Sequence, residues 1–306
     1  MIAARAEPKL RPILPLARGV PGRYEDDRVV VERARGDRGR LELGGVRTPH
    51  FEVGRQGHRI HVVHWLPTSR LDDDLTGLLA VELFNPGWVS GADAFERIFA
   101  GVVMSSHDDP LDGWELFYRN TLDRLLQPPP GMTASQGSID GYRPVYQRAV
   151  SLVPPGEVLE LGCCFGFLSL QMAARGDVHV VASDVSAGTV SLLDAVQHRL
   201  DADVRTLVAD AARVPLPDRY VDTVLAVHLL EHLDEGDGTA VMAEALRLAR
   251  HRVVIAVPFE AEPSAEFGHV RVFDLESLAG LAGDLPSGWR AKVSVHHGGW
   301  LIIDRT

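Results

Sequence analysis

The sequence predicts a doubly wound α/β fold in its second half, preceded by a smaller β and helical region. Three observations lead to this prediction. Short apolar, β-branched runs recur after residue 139, and helical patterns separate them. A glycine-containing turn follows the first of these runs, as in folds that hold a ligand at a helix N-terminus. The last two β-runs flank His297, Gly298 and Gly299, which predicts a C-terminal antiparallel hairpin.

Four regions follow one another along the chain. Residues 1–27 contain prolines and no continuous apolar segment, so we expect a disordered tail and no secretory signal. Residues 28–126 begin with short β-runs that predict a small antiparallel unit and continue, from residue 71, with helical spacing that predicts a helical cap. The prolines and glycines of residues 127–138 predict a linker, and residues 139–306 form the α/β domain.

The composition indicates which partners are disfavoured and in which compartment we expect the protein. The net charge of −11 over 306 residues argues against a nucleic acid as the main partner. No apolar run approaches the ~20 residues that a membrane span needs, so we expect no membrane span. The only two cysteines are adjacent and cannot form a disulfide framework, which fits a reducing, cytoplasmic location.

The stretch "VLELGCCFGFLSL", residues 158–170, has the pattern of a strand, a tight turn and a helix. A dinucleotide fingerprint needs glycines where this chain has Cys164 and Phe167, which disfavours a nucleotide-dependent oxidoreductase. Glu160, Gly162, Cys164 and Gly166 remain, at alternate positions.

Carboxylates and a histidine follow the next β-runs. Asp184 ends the second run, Asp210 and Ala211 follow the third, and His228 follows the fourth. Carboxylates accept hydrogen bonds and suit paired hydroxyls or an exocyclic amine. Each aspartate could instead cap a helix or a turn.

With these motifs, the region from residue 142 to residue 304 resembles the class I S-adenosylmethionine (SAM)-dependent methyltransferases. The resemblance implies a Rossmann-like methyltransferase sheet with SAM as its cofactor, in which Cys164 replaces a glycine of the family. It also implies the cofactor-binding residues, which are Glu160, Gly162, Cys164 and Gly166 in the loop, Asp184 at the ribose, Asp210 and Ala211 at the adenine, and His228 near the methyl donor.

Further stretches after residue 71, among them "ELFNPGWVSGADAFERIFAGVV", "FYRNTL", "EFGHVRVFD" and "HHGGWLIID", resemble the mycofactocin oligosaccharide methyltransferases. This closer resemblance implies methylation of a sugar hydroxyl on an oligosaccharide acceptor. Two alternatives stay open, namely methylation of another small metabolite and a non-catalytic SAM-binding partner subunit.

Methyl transfer to a hydroxyl is an in-line displacement in which the hydroxyl must lose its proton. A general base that titrates near neutrality, or a metal that acidifies the hydroxyl, can assist that loss. His232 follows the fourth run, and Glu231 before it could orient it or act as the base itself. His269, on a glycine-containing segment after the fifth run, is the rival base.

The histidines of "HRIHVVH", His58, His61 and His64, suggest a metal site by composition. On a strand, residues three apart point to opposite faces, so these side chains cannot converge on one ion. We therefore assign no metal ligands from the sequence.

Two groups of apolar residues have structural interpretations. Cysteine behaves as a small hydrophobe, so Cys163 and Cys164 are expected to pack the turn. Trp88, Trp114 and Tyr118 of the helical cap could stack on a sugar ring, but their helical spacing favours a place in the core.

Overall fold

The computed structural model describes residues 12–34, 44–127, 138–264, 268–283 and 285–306, and within these ranges the chain forms two sheets. The first sheet contains β1 (Arg23–Glu25), β2 (Val29–Arg33), β3 (Val46–Arg47), β4 (Phe51–Gln56) and β5 (Arg59–His64). The second contains β6 (Gly156–Leu161), β7 (Val178–Asp184), β8 (Val204–Val208), β9 (Val221–Val227), β10 (Ala249–Val257), β11 (Trp289–Val295) and β12 (Gly299–Arg305). The α-helices are α1 (Leu75–Leu79), α2 (Ala92–Ser105), α3 (Pro110–Leu126), α4 (Ser138–Leu152), α5 (Phe167–Ala173), α6 (Ala187–Arg199), α7 (Glu235–Leu248) and α8 (Leu275–Gly280).

The second sheet has the strand order β11-β12-β10-β9-β6-β7-β8. Strands β6 to β10 pair in parallel, and β12 is antiparallel to both β10 and β11. The predicted doubly wound α/β sheet with a C-terminal antiparallel hairpin is confirmed. Its parallel strands place their carboxyl ends along one edge, where open α/β sheets bind ligands.

Both faces of this sheet are buried, as the apolar runs require. Successive residues of a strand point to opposite faces. In β6, Val158 joins the buried cluster that holds Leu168 of α5 and Leu193 of α6. Its neighbour Leu159 joins the cluster on the other face, with Val241 of α7. Helices therefore cover the sheet on both sides and leave the edge with the carboxyl ends for the site.

The first sheet has the order β1-β2-β5-β4-β3 and differs in one respect from the predicted antiparallel unit. The pairing of β2 with β5 is parallel, with Val31 opposite Val62. The hairpin of β4 and β5 turns at Gly57, φ +62°, and brings β5 between β4 and β2. The helical region after residue 71 is confirmed by α1, α2 and α3, with π-helical turns at Ala80–Phe84.

The structure can be compared with only some of the predicted regions. The expected disorder of residues 1–27 is wrong for its last residues, because Arg23–Glu25 form β1 and Tyr24 is buried. Residues 1–11 lie outside the described residues, as do residues 128–137 of the predicted linker. The division into a cap region at 28–126 and a domain at 139–306 stays a prediction.

One buried cluster joins the two halves of the chain. It runs from Tyr24 of β1 through Trp114 and Tyr118 of α3 to Trp300 of β12. The core interpretation is thus confirmed for Trp114 and Tyr118, whereas it is wrong for Trp88, whose exposure is 48%. Within the described ranges, no helix combines the length and apolar character that a bilayer crossing requires.

Candidate active site

The turn between β6 and α5 depends on two glycines. Gly162 and Gly166 have φ angles of +70° and +76°, in the region that side chains disfavour. A Cβ atom on Gly162 would lie 2.8 Å from Leu229, and one on Gly166 would lie 2.5 Å from Leu193. The turn can therefore pack this closely against both leucines only with glycine at these positions.

The cysteines between those glycines have different environments. Cys163 is buried, and burial raises the pKa of its thiol far above the ordinary value, which disfavours the nucleophilic thiolate form. Cys164 is exposed and has a φ of +48°, the left-handed conformation that glycine adopts more easily. The packing prediction is confirmed for Cys163 and wrong for Cys164, which keeps the glycine-like backbone conformation despite its side chain.

Asp184 binds the backbone of this turn. Its Oδ2 accepts a hydrogen bond from the Cys164 amide at 3.0 Å, and its Oδ1 accepts one from the Ser186 amide at 2.8 Å. A carboxylate has about four acceptor positions, so both oxygens keep capacity for ligand hydroxyls. Asp184 thus lies at the end of β7, directly beside the turn.

Glu160, which was predicted to bind the cofactor, lies below the turn with an exposure of only 4%. Its Oε2 accepts a hydrogen bond from the Ser169 hydroxyl of α5 at 2.5 Å. Burial raises the pKa of Glu160 to about 7. The contact with Ser169 shows that Glu160 connects β6 to α5.

Asp210 and Ala211 follow β8, the neighbour of β7 in the sheet. Asp210 is exposed, and its Oδ1 accepts a hydrogen bond from the Ala212 amide at 2.9 Å. The parallel order of β6, β7 and β8 brings six of the eight predicted cofactor residues, all but Glu160 and His228, together at one edge of the sheet. We call this group the cofactor cradle, and it consists of Gly162, Cys164, Gly166, Asp184, Asp210 and Ala211.

His228 follows β9 with a φ of +53°, and its amide donates to the Ala256 carbonyl at 2.9 Å. Its ring contacts Tyr142 of α4 edge-on at 5.4 Å between centroids. Burial lowers the pKa of His228 to about 4, which keeps the ring neutral at physiological pH. The next residue, Leu229, packs on Gly162, so this loop directly adjoins the cofactor cradle.

Glu231, His232 and His269, the three predicted catalytic residues, converge beside this loop. Glu231 and His232 belong to the 3₁₀ turn Leu230–His232, while His269 comes from the segment after β10. One potential ligand atom from each side chain lies within 4.8 Å of the others. The rings of His232 and His269 meet edge-on, with centroids 4.8 Å apart. We call these three residues the acid–histidine cluster.

Burial controls the electrostatics of this cluster. Glu231 has an exposure of 0%, and burial raises the pKa of its carboxyl to about 8. Burial, together with the nearby His269, lowers the pKa of His232. Glu231 can therefore exchange a proton near neutral pH.

Sequence reasoning missed Glu260. Its Oε2 lies 2.7 Å from Nδ1 of His269, and Oε1 accepts a hydrogen bond from the Ser264 hydroxyl. A carboxylate in this position fixes the orientation of an imidazole and selects its tautomer. The available signal was its location shortly after the fifth β-run, at the same edge of the sheet as the other site residues.

Parts of the chain are similar to known methyltransferases. Residues 158–252 match a family model described as a methyltransferase domain. A segment of 105 residues is 30% identical to ajmaline N-methyltransferase of Rauvolfia serpentina, covering 34% of this chain and 35% of that protein. A segment of 95 residues is 32% identical to 27-O-demethylrifamycin SV methyltransferase of Amycolatopsis mediterranei, covering 30% and 34%. The chain thus spans about a third of the length of these curated relatives.

Solved structures of low identity are also similar. Magnesium protoporphyrin IX methyltransferase of Synechocystis PCC 6803, with bound S-adenosylhomocysteine, is 19% identical at a TM-score of 0.45, over 61% of this chain and 94% of that one. A SAM-dependent methyltransferase of Aquifex aeolicus is 19% identical at a TM-score of 0.42, over 52% and 86%. The match over residues 158–252 supports a SAM-dependent methyltransferase domain in this part of the chain, with S-adenosyl-L-methionine as the cofactor.

Proposed function

We propose that this protein transfers the methyl group of SAM to a hydroxyl oxygen of a small-molecule acceptor. We further propose that the acceptor is a sugar hydroxyl of an oligosaccharide, with the mycofactocin oligosaccharide as the first candidate. The observation that carries the proposal is the acid–histidine cluster, since a hydroxyl, unlike an amine, must be activated for attack. The relatives include both an N-methyltransferase and an O-methyltransferase, so the choice between nitrogen and oxygen as the acceptor atom rests on the chemistry of the site.

The proposed reaction is an in-line displacement. The acceptor oxygen attacks the methyl carbon, the carbon–sulfur bond breaks, and its electron pair stays on sulfur to give S-adenosylhomocysteine. The cofactor cradle positions the methyl group, and alignment of the two reactants provides much of the acceleration. Because Leu229 packs against Gly162, the loop that leads to Glu231 and His232 adjoins the cradle.

The hydroxyl proton leaves at the acid–histidine cluster. A histidine acting alone as the base predicts one large and one small kinetic loss for His232→Ala and His269→Ala. The large loss should be at least about a hundredfold, the usual size of a general-base contribution. The Glu260 contact favours His269 for that role. SAM affinity should change little in either variant, because neither side chain belongs to the cradle.

The activity is tested with purified protein, methyl-labelled SAM and glycan fractions from cells with and without the gene. The expected product is an acceptor heavier by one methylene group, whose carbon resonance identifies an oxygen-bound methyl. A methylated nitrogen would contradict the proposed acceptor class. SAM binding without transfer to any fraction would favour a non-catalytic partner subunit.

A further inference from the structure

We propose that Glu231, His232 and His269 bind a divalent transition-metal ion, which in turn binds the acceptor hydroxyl. The inference rests on the proposed function for the role of the ion, but the ion site itself is argued from the geometry of the cluster. It replaces the histidine base by metal activation of the hydroxyl. This proposal also names metal ligands, whereas the sequence analysis assigned none.

The three side chains come from two segments that the backbone holds together. The amides of Val270 and Arg271 lie 2.8 and 3.4 Å from the Glu231 carbonyl oxygen and donate to it. This contact fixes the segment of His269 against the 3₁₀ turn of Glu231 and His232. A site assembled by backbone hydrogen bonds is preorganised to receive a ligand.

The spread of the ligand atoms is compatible with one ion. They lie within 4.8 Å of one another. An ion bound at about 2.1 Å to each ligand needs neighbouring ligand atoms about 3–4 Å apart. Side-chain rotations that move each atom by about 1 Å or less would close the site, a range that exposed His232 can supply.

Glu231 provides the strongest argument for a cation. Its side chain is fully buried, yet neither carboxylate oxygen has a hydrogen-bond partner among the described residues. Burying an unsatisfied carboxyl group is costly, and native proteins avoid it unless another partner binds there. The neighbouring ring nitrogen, His228 Nδ1, lies 3.4 Å from Oε1 but makes no hydrogen bond to it. A metal ion in the cluster would satisfy this carboxylate.

Glu260 supports the same conclusion from outside the cluster. It holds Nδ1 of His269 at 2.7 Å, so Nε2 is the nitrogen that would ligate. Histidine ligands of metals commonly donate their other ring N–H to a carboxylate, which fixes the tautomer and raises ligand basicity. Glu260 and His269 have this arrangement, which makes Glu260 a positioning residue.

The donor set selects the type of ion. Two imidazoles and one carboxylate suit zinc, iron, cobalt and similar ions, whereas Mg²⁺ and Ca²⁺ prefer oxygen ligands. Three protein ligands leave coordination positions for an acceptor oxygen. The bound hydroxyl becomes more acidic and releases its proton to solvent, and the oxygen then attacks the methyl carbon with no change in oxidation state.

The test measures binding before turnover. Untagged full-length protein is dialysed against a chelator and titrated calorimetrically with Zn²⁺, Co²⁺ and Mg²⁺ in the absence of SAM. We expect one equivalent of Zn²⁺ and of Co²⁺ to bind, with visible Co²⁺ absorption bands from nitrogen ligands, and no binding of Mg²⁺. Absence of saturable binding for both transition metals would overturn the proposal.

Variants locate the ion. His269→Gln and Glu231→Gln should each weaken Zn²⁺ binding at least tenfold, and Glu260→Gln should weaken it about 10–100-fold through His269. His251→Gln is the matched control, because its 73% exposed side chain lies near the start of β10, away from the cluster. Thermal unfolding confirms that each variant is folded. Unchanged Co²⁺ bands in both His269→Gln and Glu260→Gln would contradict the site.

Turnover separates this inference from the proposed function. With a bound ion, His232→Ala and His269→Ala should both cause large kinetic losses, and chelation should stop transfer until Zn²⁺ or Co²⁺ is restored. Metal binding without any methyl transfer would contradict the proposed function but leave the site intact. Transfer that survives chelation, together with one large and one small histidine effect, would reject the ion and retain the histidine base.

Discussion

Asp184 holds the backbone of the turn and is also the residue that we propose to bind the SAM ribose. We expect Asp184→Ala to lower SAM affinity at least tenfold, because charge-assisted hydrogen bonds contribute about 1.5–3 kcal/mol each. The same change removes the acceptor of the Cys164 amide, so part of the loss comes from the turn. Calorimetric titration with SAM measures the effect, and Asp184→Asn, which keeps an acceptor oxygen, should lose less. Native affinity in folded Asp184→Ala would reject the ribose assignment.

Glu160 makes stability depend on pH. Its pKa is raised to about 7 in the folded protein by burial, so the stability it contributes is present below the unfolded value of 4.5 and is lost as pH rises through about 7. Glu160→Gln removes this pH-dependent loss of stability, because glutamine does not ionise. Urea unfolding should therefore show the variant gaining on the wild type between pH 5 and pH 8, by up to about 3 kcal/mol. Parallel pH profiles would show that Glu160 stays ionised when buried.

At the residue scale, the sequence singled out residues that the structure brings together, but not the contacts between them. Glu231, His232 and His269 were each named, the two histidines as rivals for one role and Glu231 as an orienting partner or alternative base. Their convergence depends on the backbone contacts between Val270 and Glu231, which no local pattern encodes. Glu260 was missed because its function comes from a contact with His269, not from a motif.

At the scale of elements, the turn into α5 should be far less tolerant than an ordinary helix. Gly166→Ala forces a side chain into φ +76° and against buried Leu193, so we expect a loss of about 1–3 kcal/mol in unfolding free energy. Gly141→Ala in α4 is the matched control, since nothing lies within 4 Å of its Cβ position. That change should add about 0.5–1 kcal/mol. Chemical denaturation compares the two, and equal effects would contradict the strained turn.

The parallel strands were predictable because burial on both faces leaves uninterrupted apolar runs, as in β9 and β10. The pairing of β2 with β5 was not, because it joins strands separated by the hairpin of β4. Local turn signals determine hairpins, whereas a parallel pairing depends on which sheet edge remains available after the hairpin has formed.

At the scale of the whole molecule, aromatic residues join the helical region to the cofactor turn. Trp114 and Phe117 of α3 lie 6.0 and 5.5 Å from Phe165, between Cys164 and Gly166, as measured between ring centroids. Trp114→Ala should lower stability by about 3–5 kcal/mol and also weaken SAM binding. Half-exposed Trp88 is the control, and Trp88→Ala should change stability by only about 0.5 kcal/mol. If Trp114→Ala lowered stability but left SAM affinity unchanged, the aromatic contacts of α3 would not support the cofactor turn.

The buried cluster that runs from Tyr24 to Trp300 has a consequence for how the protein melts. Two regions that share one core cannot lose their packing independently, so their unfolding should be cooperative. We expect scanning calorimetry to give a single heat-absorption peak whose calorimetric and van't Hoff enthalpies agree. Saturating SAM, although bound at the edge of one sheet, should shift that whole peak upward, and so protect β1 and β2 from hydrogen exchange as strongly as β6.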